Sequence, residues 1–239
     1  LEYAKVMHYY KINIESVFVR NLKKNRKNFY NFKIKNIYNN IDQALNEKKY
    51  NCVFVFLPWN IIENKISKII KLTKKPIFVE KPVALSLKRL TAICKVSNKF
   101  NKKIYILYNR RYFKSVKFLK KKIDRKKIFF EVFIPERKKE LIENFDKRIK
   151  KNIKFHLTSH WIDFFSYLFN KKISSFKKEQ DHYFFYFSKN RDKNFIKLRY
   201  DIKGFIESKI QIGKKKYYFN KLEYLYEIKN NKLKLIIDE

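Results

Sequence analysis

Three short segments of the chain place proton-transferring or anion-pairing side chains where a fold could use them. Glu80-Lys81-Pro82 directly follows an apolar run. A lysine at a strand end can hydrogen-bond a reacting hydroxyl, or serve as acid or base once burial perturbs it. Pro82 confines Lys81 to extended backbone, which fixes where its amine points. Tyr108-Asn109-Arg110-Arg111-Tyr112 follows the next apolar run. Asn and paired Arg suit an amide, a sugar hydroxyl, a carboxylate or a phosphate. His160-Trp161-Ile162-Asp163 lies in an aromatic stretch. Its spacing puts His160 and Asp163 on one helical face, where the carboxylate can orient the imidazole and raise its basicity. Taken singly, each segment has a plain alternative: a surface lysine, a solvated basic turn, a histidine at a helix start.

Metal chemistry is not expected. His156 and His160 form an HxxxH pair, but Leu157 stands where a metalloprotease helix needs Glu. His8 and His182 stand alone and read as structural. Cys52 and Cys94 sit in apolar contexts without a CxxC spacing, so buried, reduced thiols in a cytoplasmic protein are expected.

The elements that must position these segments follow two patterns. Up to about residue 108, helix and strand signals alternate, as in a parallel sheet. Residues 1–11 read as a helix with Tyr3, Val6, Met7 and Tyr10 on one face, and 14–19 as a strand. Residues 41–48 read as a helix capped near Asn40 or Asp42. Residues 52–57 form a continuous apolar run, the mark of a strand buried on both faces. A helix at 61–72, a strand at 77–80, a helix capped by Ser86 and a strand at 104–108 complete this part. Beyond it come a helix at 115–123, a strand at 128–134, a polar helical stretch to about 151 and an aromatic helix at 158–169. Only strand-like runs follow, at 183–187, 195–200, 205–212, 217–219, 225–228 and 233–237. Runs of strands in sequence imply an antiparallel sheet. The fold class expected is α/β: an incomplete Rossmann-type doubly wound parallel sheet over residues 1–108, then an α+β domain over 109–239 with an open, mostly antiparallel sheet.

Composition narrows the classes of function. Among 239 residues, 59 Lys+Arg oppose 22 Asp+Glu, a formal charge of +37. The lysines are strewn along the whole chain rather than gathered in a stripe. With Lys, Asn, Ile, Phe and Tyr abundant and only two Gly and four Pro, the charge reads as residue-usage bias. No specific nucleic-acid partner is expected. At 45% hydrophobic and 18% aromatic the chain can bury a core. No apolar run approaches the roughly 18–20 residues of a membrane span.

In order and spacing, the segments resemble the glucose–fructose oxidoreductase/inositol dehydrogenase (Gfo/Idh/MocA) family. The run CVFVFLPWN is similar to that family's strand ending in a Pro-containing cofactor loop. KKPIFVEKPVALSLKRL is similar to its EKP strand and helix. IYILYNRRYFKSVKFLKK is similar to its Y-N-R-R-[FY] segment, and HLTSHWIDFFSYLFN to its H-x-x-D helix. The resemblance covers roughly three quarters of the chain. It implies an NAD(P)-dependent oxidoreductase acting on a sugar or nucleotide-sugar hydroxyl or carbonyl, with a link to surface-polysaccharide synthesis. Lys81 and His160 would be catalytic, and the Lys81–Pro82 bond would be cis. Leu57, Pro58, Trp59, Asn60, Glu80, Lys81 and Asn109 would bind the cofactor. Arg110, Arg111, Tyr112, His156 and Asp163 would face the substrate. A homo-oligomer through the C-terminal sheet is a further expectation.

The sequence also departs from the family pattern. Relatives open with a strand and G-x-G-x-x-G, whose glycines let the backbone approach a pyrophosphate. Here the opening LEYAKVMHYY resembles the helix after that loop, and the glycines are Gly204 and Gly213. His156 stands where many relatives have Asp. Arg20 stands at an often acidic position; there it could pair with a 2′-phosphate, favouring NADP over NAD. A catalytically inactive relative, acting as a scaffold or binding module, therefore stays open beside the active enzyme.

Overall fold

A computed structural model of the chain describes residues 2–34, 36–46, 49–123, 127–136, 147–187, 194–200, 207–219 and 224–238, without the side chains of 24–26, 28, 136, 147–157 and 207. It divides into two compact units, Leu1–Leu107 and Tyr108–Glu239.

The first unit alternates α1 (Glu2–Tyr9), β1 (Ser16–Phe18), α2 (Leu22–Tyr30), β2 (Asn36–Tyr38), α3 (Ile41–Asn46), β3 (Val53–Val55), α4 (Trp59–Leu72), β4 (Ile77–Glu80), α5 (Leu87–Lys99) and β5 (Ile104–Leu107). All described strand pairs here are parallel. They fall in two sheets, β1-β2 and β3-β4-β5. Both contribute to one core, in which Phe18 of β1 packs with Ile41, Val55, Ile66, Ile77 and Val79. The caps follow the sequence signals. The Asn40 side chain accepts from the Asp42 amide at 2.8 Å, and Ser86 accepts from the Arg89 amide at 3.3 Å.

Several local expectations are corrected. The helix at 22–30 and strand at 36–38 carry little apolar periodicity; Tyr30 is exposed and α2 is rich in Lys and Asn. In α1 only Ala4 is buried, and the face holding Tyr3, Val6 and Tyr10 is exposed. The run at 52–57 is not buried on both faces. Phe54 is 38% exposed and joins a row of stacked rings with Phe56, Phe78 and Tyr105. That row exists because parallel register sets Phe54 beside Phe78 and Phe78 beside Tyr105. Cys94 is exposed, although its neighbours in sequence are apolar; Cys52 is half-buried, which pushes its thiol pKa up.

The second unit begins with a 3-10 helix (Asn109–Tyr112) and α6 (Lys114–Ile123). Then come β6 (Ile128–Glu136), α7 (Lys147–Phe169), β7 (Ser175–Glu179), β8 (His182–Tyr186), β9 (Phe195–Tyr200), β10 (Glu207–Ile212), β11 (Lys215–Phe219), β12 (Leu225–Lys229) and β13 (Lys232–Ile237). The eight strands form one sheet, ordered β13-β12-β11-β10-β6-β9-β8-β7. It is antiparallel except where β6 pairs β9. Phe164, Phe165, Leu168 and Phe169 of α7 share a core with Phe130, Ile134, Ile196, Leu198 and Phe219 of the sheet. The polar stretch ending near 151 and the aromatic helix from 158 are one continuous helix, α7. The strand β7 went unread because its sequence, SFKKE, leaves four of five residues exposed.

Candidate active site

In the first unit, the ends of β3 and β4 carry the residues of interest. Strand β4 closes on Glu80, and the Lys81–Pro82 peptide that follows is cis. Lys81 is 6% exposed, and its Nζ lies 5.8 Å from the centre of the Trp59 ring. Pro58 holds φ at −54° ahead of α4, an angle its ring imposes. The amides of Ile61 and Ile62 donate to its carbonyl at 2.8 and 2.9 Å. Trp59 and Asn60 are therefore the first turn of α4, where a loop was expected.

Two further residues brace this corner. The buried Glu63 carboxylate, on α4, accepts from the Leu85 amide at 3.1 Å and so pins the backbone just past cis-Pro82. The Tyr3 hydroxyl donates to the Glu80 carboxylate, and its ring stacks on Phe56 with centroids 3.6 Å apart. Burial, and then the hydrogen bond to Glu80, push the Tyr3 phenol up to about 12. The reading of motifs missed both. For Glu63 a signal existed: an acid amid the positions of α4 that bury Ile62, Ile66, Ile69 and Ile70. Arg20 stands exposed two residues beyond β1.

In the second unit, the Y-N-R-R segment is stitched to α7. Arg110 lies over Trp161, with its guanidinium carbon 3.7 Å from the ring centre. Arg111 Nε donates to Asp163 Oδ2 at 2.7 Å, and its Nη2 donates to Oδ1. This is the bidentate fork that Arg alone offers a carboxylate. Arg111 also faces the rings of Tyr108 and Tyr167, at 5.5 and 5.0 Å. The Asp163 bond holds the guanidinium above its ordinary range. Asp163, expected to orient His160, thus gives both oxygens to Arg111.

His160 meets the edge of Tyr108, with ring centroids 6.1 Å apart and planes at 78°. The Tyr108 phenol is pushed up by burial and then by Asp163, while a hydrogen bond with Ser159 works the other way. Lys120 of α6 donates to the Tyr167 carbonyl at 2.6 Å, and burial lowers its amine's pKa. Asn109 and Tyr112 point to solvent. His156 is on α7, but its side chain lies outside the described residues. No group of three or more His, Cys, Asp or Glu suited to a metal occurs among the described residues. Among those same residues no helix is long and apolar enough to cross a membrane.

The first unit thus brings together Lys81, Trp59 and the Glu63-braced turn, with Glu80 held by Tyr3. The second brings together Tyr108, Arg110, Arg111, His160, Trp161 and Asp163. A buried amine beside an indole face can hydrogen-bond a hydroxyl or ribose. An imidazole walled by a tyrosine can exchange a proton.

Comparison with known proteins bears on this arrangement. No curated protein matched the chain. Several solved structures share its fold. A Clostridium difficile dehydrogenase (MviM) is 17% identical with TM-score 0.74, over 99% of this chain and 78% of that one. An oxidoreductase of the Gfo/Idh/MocA family from Vibrio cholerae is 13% identical with TM-score 0.73, over 99% and 77%. An NAD binding oxidoreductase from Klebsiella pneumoniae is 10% identical with TM-score 0.71, over 99% and 74%. Residues 2–108 match the family described as "Oxidoreductase family, NAD-binding Rossmann fold". Over this first unit, the chain is similar to the Gfo/Idh/MocA family of oxidoreductases.

Proposed function

We propose that the chain is an NAD(P)-dependent oxidoreductase that interconverts a hydroxyl and a carbonyl on a sugar or nucleotide-sugar. The observation that carries this reading is Lys81, buried beside Trp59 on a braced cis-Pro turn at the end of a parallel strand. Ligands of open α/β sheets bind at the carboxyl ends of the strands.

The residues present suit the nicotinamide-ribose half of a dinucleotide. Glu80 and Asn60 offer polar contacts to a ribose, Trp59 a flat wall, and Pro58 a fixed entry to α4. When bound, the nicotinamide supplies the hydride acceptor or donor. The chain's own task is protonic. Lys81 is the residue we assign to the reacting hydroxyl, and His160 the residue we assign to proton exchange. Arg20 is free in solution to meet a 2′-phosphate, which favours NADP. We assign the protein to the cytoplasm, and a homo-oligomer to its C-terminal sheet. A role in surface-polysaccharide synthesis is the pathway we attach to this chemistry.

A second reading rests on the glycines. Gly204 and Gly213 are the only two, so residues 2–107 hold no glycine-rich turn for a pyrophosphate. A chain that keeps the fold as a binding module would show that composition. Calorimetric titration with NADH and NADPH separates the readings. Micromolar binding of either supports the enzyme, and Lys81→Ala should then retain binding while abolishing turnover on a panel of sugars and nucleotide-sugars. Absence of binding, or undiminished turnover in Lys81→Ala, overturns it.

A further inference from the structure

Three contacts fasten the segment before α6 to one stretch of α7. Tyr108 meets His160 and Ser159, Arg110 covers Trp161, and Arg111 clasps Asp163. The order of contacts runs in register along both segments, so the arginines act as a latch. The last of them has a chemical consequence. Asp163 lies three residues beyond His160, which on a helix makes the two side chains neighbours. A carboxylate there, left to itself, would turn to the imidazole and hold a proton on it. Arg111 occupies both of its oxygens.

We propose that Arg111 is a positioning residue that holds the Asp163 carboxylate and so limits its pull on the His160 imidazole. The purpose of this device rests on the oxidoreductase reading; its operation does not. The Tyr108 ring, from the segment after β5, meets His160; Asp163 is three residues on along α7, with Arg111 bound to it. His156 is one turn earlier on the same helix. The ring of Tyr108 serves as the imidazole's wall, and the Arg111 guanidinium over that ring holds the wall in place.

The test is a pH titration of the four histidines by NMR, in the full chain without cofactor, with His160→Gln identifying the resonance. Arg111→Met should raise the His160 midpoint by about one pH unit, the scale of a single close carboxylate. Asp163→Asn added to Arg111→Met should cancel that rise. Arg111→Lys keeps the charge without the fork and should give a smaller rise; it serves as the reporter if Arg111→Met does not fold. A His160 midpoint that stays put in every folded variant overturns the proposal. So does a rise that persists in the double variant, since Asp163 would then not be its cause. Because the readout needs no turnover, a chain that binds no dinucleotide can still show the shift. A chain that turns over without showing it loses only the latch.

Discussion

The two units fill their interiors with different residues. The first unit's core cluster is built wholly of Ile and Val at its buried positions, among them Ile62, Ile66, Ile70, Ile77 and Val79. The second unit's holds Phe130, Trp161, Phe164, Phe165, Phe169, Phe187, Tyr217 and Phe219. The difference follows from architecture. Short parallel strands packed against helices leave narrow layers, which β-branched side chains fill without spending rotamer freedom. A single long helix on a broad antiparallel sheet leaves a deeper gap, which rings fill by offset stacking and edge contacts. Phe130 stacks on Phe169 at 4.0 Å, and Phe164 meets Phe165 edge-on at 4.7 Å. A chain with two glycines and 24 phenylalanines can satisfy both demands, because neither core needs close backbone approach.

Deleting a ring should therefore do the most damage. Phe164 is fully buried, and Phe164→Ala should cost about 3–5 kcal/mol. Denaturant unfolding can read each unit separately, since the two tryptophans, Trp59 and Trp161, fall one in each. With Trp59→Phe as background, the Trp161 midpoint should drop sharply in Phe164→Ala. An unchanged midpoint would mean the aromatic core is not what holds the second unit. Next comes Ile66→Ala, also at a fully buried site, at roughly 2–5 kcal/mol. There Trp59 is the reporter, in a Trp161→Phe background. If Ile66→Ala proved the costlier, the contrast between the cores would be reversed.

The same contrast explains what could be read from sequence. Apolar periodicity gave α4 and α5, and apolar runs gave β4 and β5, because each buries a face against the Ile/Val core. Ser86 and Asn40 announced their helices through side-chain chemistry that operates locally. Elements with little apolar pattern were illegible: α2 and β7 carry Lys and Asn or Lys and Glu, and β2 is three half-buried residues, Asn36, Ile37 and Tyr38. The candidate site divides likewise. Lys81, Arg110, Arg111, His160 and Asp163 stood out as residue types at spacings. Which partner each would take depended on contacts across many residues. Arg111 and Asp163 are 52 apart, and Tyr3 and Glu80 are 77 apart. No local pattern records such pairings.

A smaller effect tests how the first unit's termini are tied. Tyr3→Phe keeps the stack on Phe56 but deletes the hydrogen bond to Glu80. The partly exposed site limits the loss to about 1 kcal/mol. The pH dependence has a definite sign. The phenol titrates near 12 when folded, against an ordinary 10.0. Its contribution is full below 10 and disappears as pH rises through 12. The gap between wild type and Tyr3→Phe, read at Trp59, should close over that interval. A gap that stays constant with pH would show that the ring alone, and not the hydroxyl, holds α1 to the end of β4.

The smallest effect lies at the sheet of the second unit, where Lys215 Nζ meets Glu227 Oε1 at 2.9 Å between neighbouring strands. Lys215 holds the Glu227 carboxyl below its ordinary 4.5. A depressed carboxyl stabilises the fold above the ordinary value and loses that contribution as pH falls through the lower, folded one. Glu227→Gln should thus differ from wild type at neutral pH and converge with it in acid. Because Lys215 is 60% exposed, added salt should narrow the difference at neutral pH as well. If salt leaves it untouched, the carboxylate's work is done by its packing beside Tyr217, which faces it across β11 and β12, and the second unit would owe even this edge to its rings.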